Sequence, residues 1–172
     1  NPENASACNE LAWLYATAPD ELRDGTMAVE FAEKAVAIES DNALYQHTLV
    51  VAYTRAGQHE KAVAAAPRQV ADDADWRATL AGYALAISQS KLGDSTSSAE
   101  TYSKALRRHK EQLARLNPYD ALELKNTRTE AMTQLLGAPP AEVFARAHQL
   151  ARAGTWNAAA TEFGRALKIY PD

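Results

Sequence analysis

Three stretches decide how this chain is read: YTRAGQHEKAV (53–63), QSKLGDSTSSA (89–99) and LARAGTWNAAA (150–160). Each sets a glycine between two helical patterns, at Gly57, Gly93 and Gly154, and a small residue five positions later, at Ala62, Ser98 and Ala159. Gly93 follows Gly57 by 36 residues, about one helical hairpin, whereas Gly154 follows Gly93 by 61, which leaves room for an extra element. A glycine just past the last turn of a helix suits a left-handed cap. A fixed period of this length marks units that bury their apolar faces only by stacking on one another.

Outward from these turns the pattern is helical throughout. The segment LAWLYATAPDELRDGTMAVEFAEKAVAIESDN (11–42) is a fourth copy with a longer turn, and Ala28 precedes Ala62 by 34 residues. Ala28, Phe31, Ala32, Ala35 and Ile38 recur at helical spacing. The periodicity predicts nine helices, at about 5–17, 26–39, 43–56, 59–70, 75–92, 96–115, 119–136, 140–153 and 156–169. Small residues at Ala12, Ala28, Ala35, Ala62, Ala86, Ala105, Ala147, Ala159 and Ala166 let helices approach closely. Leu11, Leu49, Tyr53, Leu85, Tyr102 and Phe163 fill the space between them. Ser97 with Glu100 reads as a capping box. Pro67 falls inside an expected helix, which should therefore be short or kinked near Ala66.

Composition supports this class. Alanine supplies 37 of the 172 residues, against seven glycines, and alanine has the highest helix propensity. The length suits one domain. No run of 18 apolar residues offers a transmembrane helix, and the opening residues do not read as a signal peptide. One cysteine, Cys8, cannot make an internal disulfide or a Cys-based zinc site; it sits at a packing position and reads as a buried, inert thiol. A net charge of -4 and a pI near 5.6 argue against a general nucleic-acid binder.

Catalytic signals are missing. His47, His59, His109 and His148 form no HExxH pair. His59, at a turn, and His109, within RRHK (107–110), read as solvated surface. Gly93-Asp94-Ser95 has neither the spacing nor the strand–turn–helix setting of a nucleophile elbow. No GxxxxGK[ST] or GxGxxG stretch occurs. The reading is a non-enzyme without cofactor or metal.

Taken together, the four matches resemble the tetratricopeptide repeat, a helix–turn–helix unit of 34 residues. Repeats fall at about 5–42, 43–76, 79–112 and 140–172, within one domain spanning 1–172. The wording LAWLYATAPDELRDG is similar to a variant common in bacterial arrays, often ones attached to signalling proteins. NPEN (1–4) resembles the closing turn of a preceding repeat, with Pro2 where Pro171 stands in the last one, so a longer parent protein is expected. Residues 113–139 depart from the pattern. NPYDALELKNTRTEAMTQLLGAPP (117–140) reads as one helix between Pro118 and Pro139–Pro140: a worn-down repeat, or an inserted helix that redirects the array.

The resemblance implies an all-α, right-handed solenoid acting as a protein-interaction scaffold. Its first helices would line a concave groove that takes a peptide or partner protein. The groove-facing residues carried over are Asn9, Trp13, His47, Val51, Arg55, Leu80, Tyr83, Ile87, Lys91, Phe144, His148 and Arg152. They are apolar and aromatic at the centre, with Arg55, Lys91 and Arg152 along one side, which suits apolar anchors flanked by acidic residues. The same apolar residues also fit plain packing between helices. A carboxylate clamp of the chaperone-binding kind is not expected. Asn9 matches one of its positions, but Trp13, Thr48, Leu80 and Ala84 stand where Asn, Lys or Arg would be required. Two further readings stay open: a structural spacer or oligomerisation arm, and a regulatory module of an enzyme domain outside this fragment. The partner, the oligomeric state and the compartment stay open too, a cytoplasmic one being favoured.

Overall fold

The computed structural model describes residues 4–19, 21–66 and 75–169. Among them are nine α-helices and no strand: α1 (Ala5–Thr17), α2 (Gly25–Ile38), α3 (Ala43–Arg55), α4 (His59–Ala65), α5 (Trp76–Lys91), α6 (Ser95–Gln112), α7 (Pro118–Leu136), α8 (Pro140–Arg152) and α9 (Trp156–Ile169). A 3-10 turn, Leu113–Arg115, extends α6. The all-α class is as expected, and most boundaries fall within two residues of the sequence reading. The helix expected at 59–70 is short: α4 ends at Ala65, and Ala66 is extended. Pro67, Pro2 and Pro171 lie outside the described residues.

The helix starts are fixed by side chains. Asn4, Asp24, Asn42, Asp75, Asp94 and Asn117 each accept a bond from a first-turn backbone N–H, satisfying donors that the helix itself leaves unpaired. At α6 this corrects the expected capping box. The cap is Asp94, whose carboxylate accepts from Ser97 N at 3.0 Å, and Ser97 is already inside the helix. Ser97, through its side chain first and its backbone N–H second, holds the Asp94 carboxyl below its ordinary pKa.

Three helix ends share one turn. Gly57, Gly93 and Gly154 adopt φ of 70, 84 and 77°. The residue after each glycine donates its N–H to a carbonyl five residues back: Gln58 to Tyr53, Asp94 to Gln89 and Thr155 to Leu150, at 2.9–3.0 Å. This is the Schellman closure. Ala62, Ser98 and Ala159 are buried in the helices that follow, and all nine small positions named above are buried. Of the large fillers, Leu49, Tyr53, Leu85 and Tyr102 are buried, Phe163 is half-buried, and Leu11 is exposed. Leu11 was expected inside; it lies on the open side of α1.

Consecutive helices pack in pairs: α1 on α2, α3 on α4, α5 on α6, α8 on α9. The first members of the leading pairs also lie side by side, α1 on α3 and α3 on α5. Gly25 makes one of these junctions possible. A Cβ there would stand 2.8 Å from the backbone of Arg55 and Ala56, so α2 begins directly against the end of α3. After α5 the order changes. The next helix packed along α5 is α7, and the α8–α9 pair meets the rest of the molecule chiefly through α6 and α7. The helix α5 thus sits among α3, α4, α6 and α7, and every residue from Ala78 to Ser88 is buried.

Candidate functional site

The twelve residues expected to line a groove do not form one open surface. Asn9, Trp13, His47, Val51, Leu80, Tyr83 and Ile87 are buried. The Arg55 side chain is only 8% exposed. Phe144 is half-buried, and Lys91, His148 and Arg152 are exposed. The resemblance placed these residues on the first helices of the repeats, α1, α3, α5 and α8. It did not show that most of them are covered by the chain itself.

The cover is α7. Its Leu124, Ala131, Met132 and Leu136 enter the same apolar cluster as Trp13, Val51, Leu80, Tyr83 and Ile87. One edge of α7 carries Glu123 and Glu130, seven residues apart and therefore on one face. Glu130 pairs with Arg55 Nη1, while Arg55 Nε donates to Ala16 O at 3.2 Å. Glu123 lies beside the Thr17 hydroxyl at the end of α1 and feels both Arg77 and Arg55. Its other neighbours are less favourable: burial, and secondarily Asp120, push its carboxyl above the usual range. The segment 117–140 is thus one helix, packed along α5 and touching Arg55 on α3 and Thr17 on α1 through single side chains.

The Arg77 guanidinium lies 5.2 Å from the Trp13 ring centre and 5.6 Å from that of Trp76, and the two indoles meet edge to face at 5.6 Å. Glu10 approaches Arg77 at 3.8 Å. Such stacking holds a cation with little loss of its apolar packing.

The opposite edge of α7 faces a buried polar cluster. His109 on α6 is buried, not solvated as its place in RRHK had implied. A helix turns 100° per residue, so His109 points inward while Arg107 and Lys110 face solvent. Its Nδ1 is 3.0 Å from the Tyr83 hydroxyl. Burial, with Arg128 nearby, lowers its pKa to about 4, so the ring is neutral near pH 7. Burial raises the Tyr83 hydroxyl in turn. His59 also departs from the solvated reading: it is half-buried, its Nδ1 3.2 Å from Ser88 Oγ, which in turn meets Thr54 Oγ1 at 2.9 Å. Cys8 is buried, as expected.

Among the described residues are two recesses. A cleft of about 690 Å³ opens between α6, α7 and α9, lined by Ser95, Thr96, Ser98, Leu135, Arg165 and Ile169 among others. Its one cation is committed, Arg165 Nη2 donating to Leu135 O at 3.1 Å. A second recess of about 370 Å³ lies beside His109, Lys125 and Arg128. Among the described residues no cluster of His, Cys, Asp or Glu is arranged to hold a metal ion, and no helix is long and apolar enough to cross a membrane.

No family model matches this chain, and no curated protein matches it either.

Proposed function

We propose that this chain is a protein-interaction module of tetratricopeptide-like build, a right-handed array of helical hairpins that binds a protein or peptide and performs no catalysis. The observation that carries the reading is the shared turn at Gly57, Gly93 and Gly154, with the same backbone closure and the same buried small residue five positions on. The side-by-side packing of α1, α3 and α5 supports it.

Of the residues carried over for the groove, Lys91 on α5 and His148 and Arg152 on α8 are exposed, and they are the places to test it. A photo-reactive side chain at each, in the source cell, should capture the same partner, and Leu22 on the exposed turn after α1 should not. The purified partner should then bind the parent chain and bind the triple alanine variant at least ten-fold more weakly. Capture that does not depend on position, or equal binding by the variant, would refute the reading. A second reading, a structural spacer, rests on a specific observation: seven of the twelve residues carried over for the groove are buried within the chain itself.

A further inference from the structure

We propose that α7 occupies a seat which a partner's helix takes in its place, and that this partner presents an acidic amphipathic helix recognised by Arg55 and Arg77. The inference rests on the reading of the chain as an interaction module and names the chemistry of its partner.

The seat is built for a helix. Packed along α5, α7 crosses to Arg55 on α3 and to Thr17 on α1. That is how a ligand helix lies in a groove, in contact with several neighbours at once. The side chains it uses form a short code. Two carboxylates, Glu123 and Glu130, stand two turns apart, and beside each comes an apolar residue, Leu124 and Ala131. Opposite them the row offers two cations in a chain of net charge -4. Arg55 Nε is anchored on Ala16 O and Arg77 is braced on two indoles, so each guanidinium keeps a restraint that does not come from α7.

The present occupant fits this seat incompletely. Glu123 Oε1 and Arg77 Nε are both buried and neither has a hydrogen-bond partner. An acceptor and a donor of complementary charge are thus left unmatched near the same edge, which costs each its lost hydration. A helix that set a carboxylate squarely on Arg77 would satisfy both needs. The ends of α7 also permit exchange. It starts at Asn117–Pro118 and stops at Gly137, φ 74°, followed by Pro139–Pro140. The helix can leave as one rod with the turns at 113–117 and 137–139 as hinges.

The test uses the full chain and a fluorescent peptide of residues 117–137, in its natural form and with Glu123→Gln and Glu130→Gln. The parent should bind the natural peptide weakly, because its own α7 competes. A chain carrying Glu123→Gln and Glu130→Gln should bind it at least ten-fold tighter, should not prefer the neutral peptide, and should lose the gain on further Arg55→Gln substitution. In the parent, amide exchange should release α7 at least ten-fold faster than α5. Should the double variant fold poorly, this exchange ratio decides alone. Equal peptide affinity for both chains, or α7 amides as slow as those of α5, would overturn the proposal. A dimer formed by the double variant, with the gain lost on dilution, would assign the seat to exchange between copies and overturn the partner assignment. A partner captured at Lys91 or Arg152 that ignores the α7 variants would leave the module reading standing and remove this one.

Discussion

The attachment of α7 to the row can be measured through one ion pair. Arg55 is 8% exposed and Glu130 35% exposed at their side chains, and they contact each other directly. At an effective dielectric of about 20, opposite charges about 4 Å apart attract by roughly 4 kcal/mol. Against that stands the desolvation of a nearly buried guanidinium, relieved in part by its second bond to Ala16 O. Glu130 retains solvent on one side, which screens the attraction further. The net coupling should therefore lie near 1–2 kcal/mol, above an exposed pair and below a fully buried one. The single change Glu130→Ala should cost somewhat more than the coupling itself, about 2–3 kcal/mol, because it strands the buried cation. Arg55→Met, which keeps the apolar stem and removes the charge, should cost less. A double-mutant cycle by urea denaturation isolates the pair, provided the transition slope is the same in all four chains. A coupling under about 0.3 kcal/mol would show that the charges do not hold α7, and that its apolar residues alone set its position.

Other outcomes follow from the packing and the titrating groups. Gly25→Ala should destabilise by about 1–3 kcal/mol, seen as a lower Tm, since its Cβ would meet backbone at 2.8 Å; an unchanged Tm would mean that α2 and α3 do not abut there. Gly57→Val should cost about 1 kcal/mol or more, because a β-branched residue tolerates φ of 70° poorly; denaturation showing no change would remove the shared turn. His109 is held near pKa 4 when folded, against about 6.5 unfolded, so between those values the unfolded chain binds the extra proton. Stability should rise by on the order of 2 kcal/mol from pH 4 to pH 6.5 on this account. Glu123, raised when folded, acts oppositely, its contribution being present at low pH and lost as pH rises. His109→Gln should flatten the rise and leave the opposing term, and an identical pH profile would refute the assignment.

Much of this was legible in the residues. Alanine at helical spacing and glycine before each new helix define close-packed hairpins by local rules, and local rules survive folding. Most helix ends and all nine small packing positions therefore fell where expected. What escaped depends on distant segments. His109 sits between Arg108 and Lys110, and its burial depends on Tyr83, 26 residues away. Ser97 and Glu100 have the spacing of a capping box, but Asp94 lies ahead of them and takes the bond first. Gly25 looks like any turn glycine until the end of α3 is placed against it.

The face of α1, α3 and α5 shows why periodicity stops short of function here. Trp13, Val51, Leu80, Tyr83 and Ile87 recur at the spacing of an apolar stripe, and an apolar stripe requires cover of some kind. Nothing in the stripe says whether the cover comes from the same chain or from another. The informative residues lie in the segment that breaks the repeat, where Glu123 and Glu130 face cations of the row while Leu124 and Ala131 enter its core. The odd 61-residue spacing between Gly93 and Gly154 thus has a structural counterpart: it holds α7, a helix packed chiefly along α5. The Tyr83→Ala substitution, a natural probe of an open groove, would here remove a fully buried ring and lower stability before it reported on any ligand. Binding by this chain is therefore best probed through charges at the edges of the seat, where a substitution changes recognition and leaves the core intact.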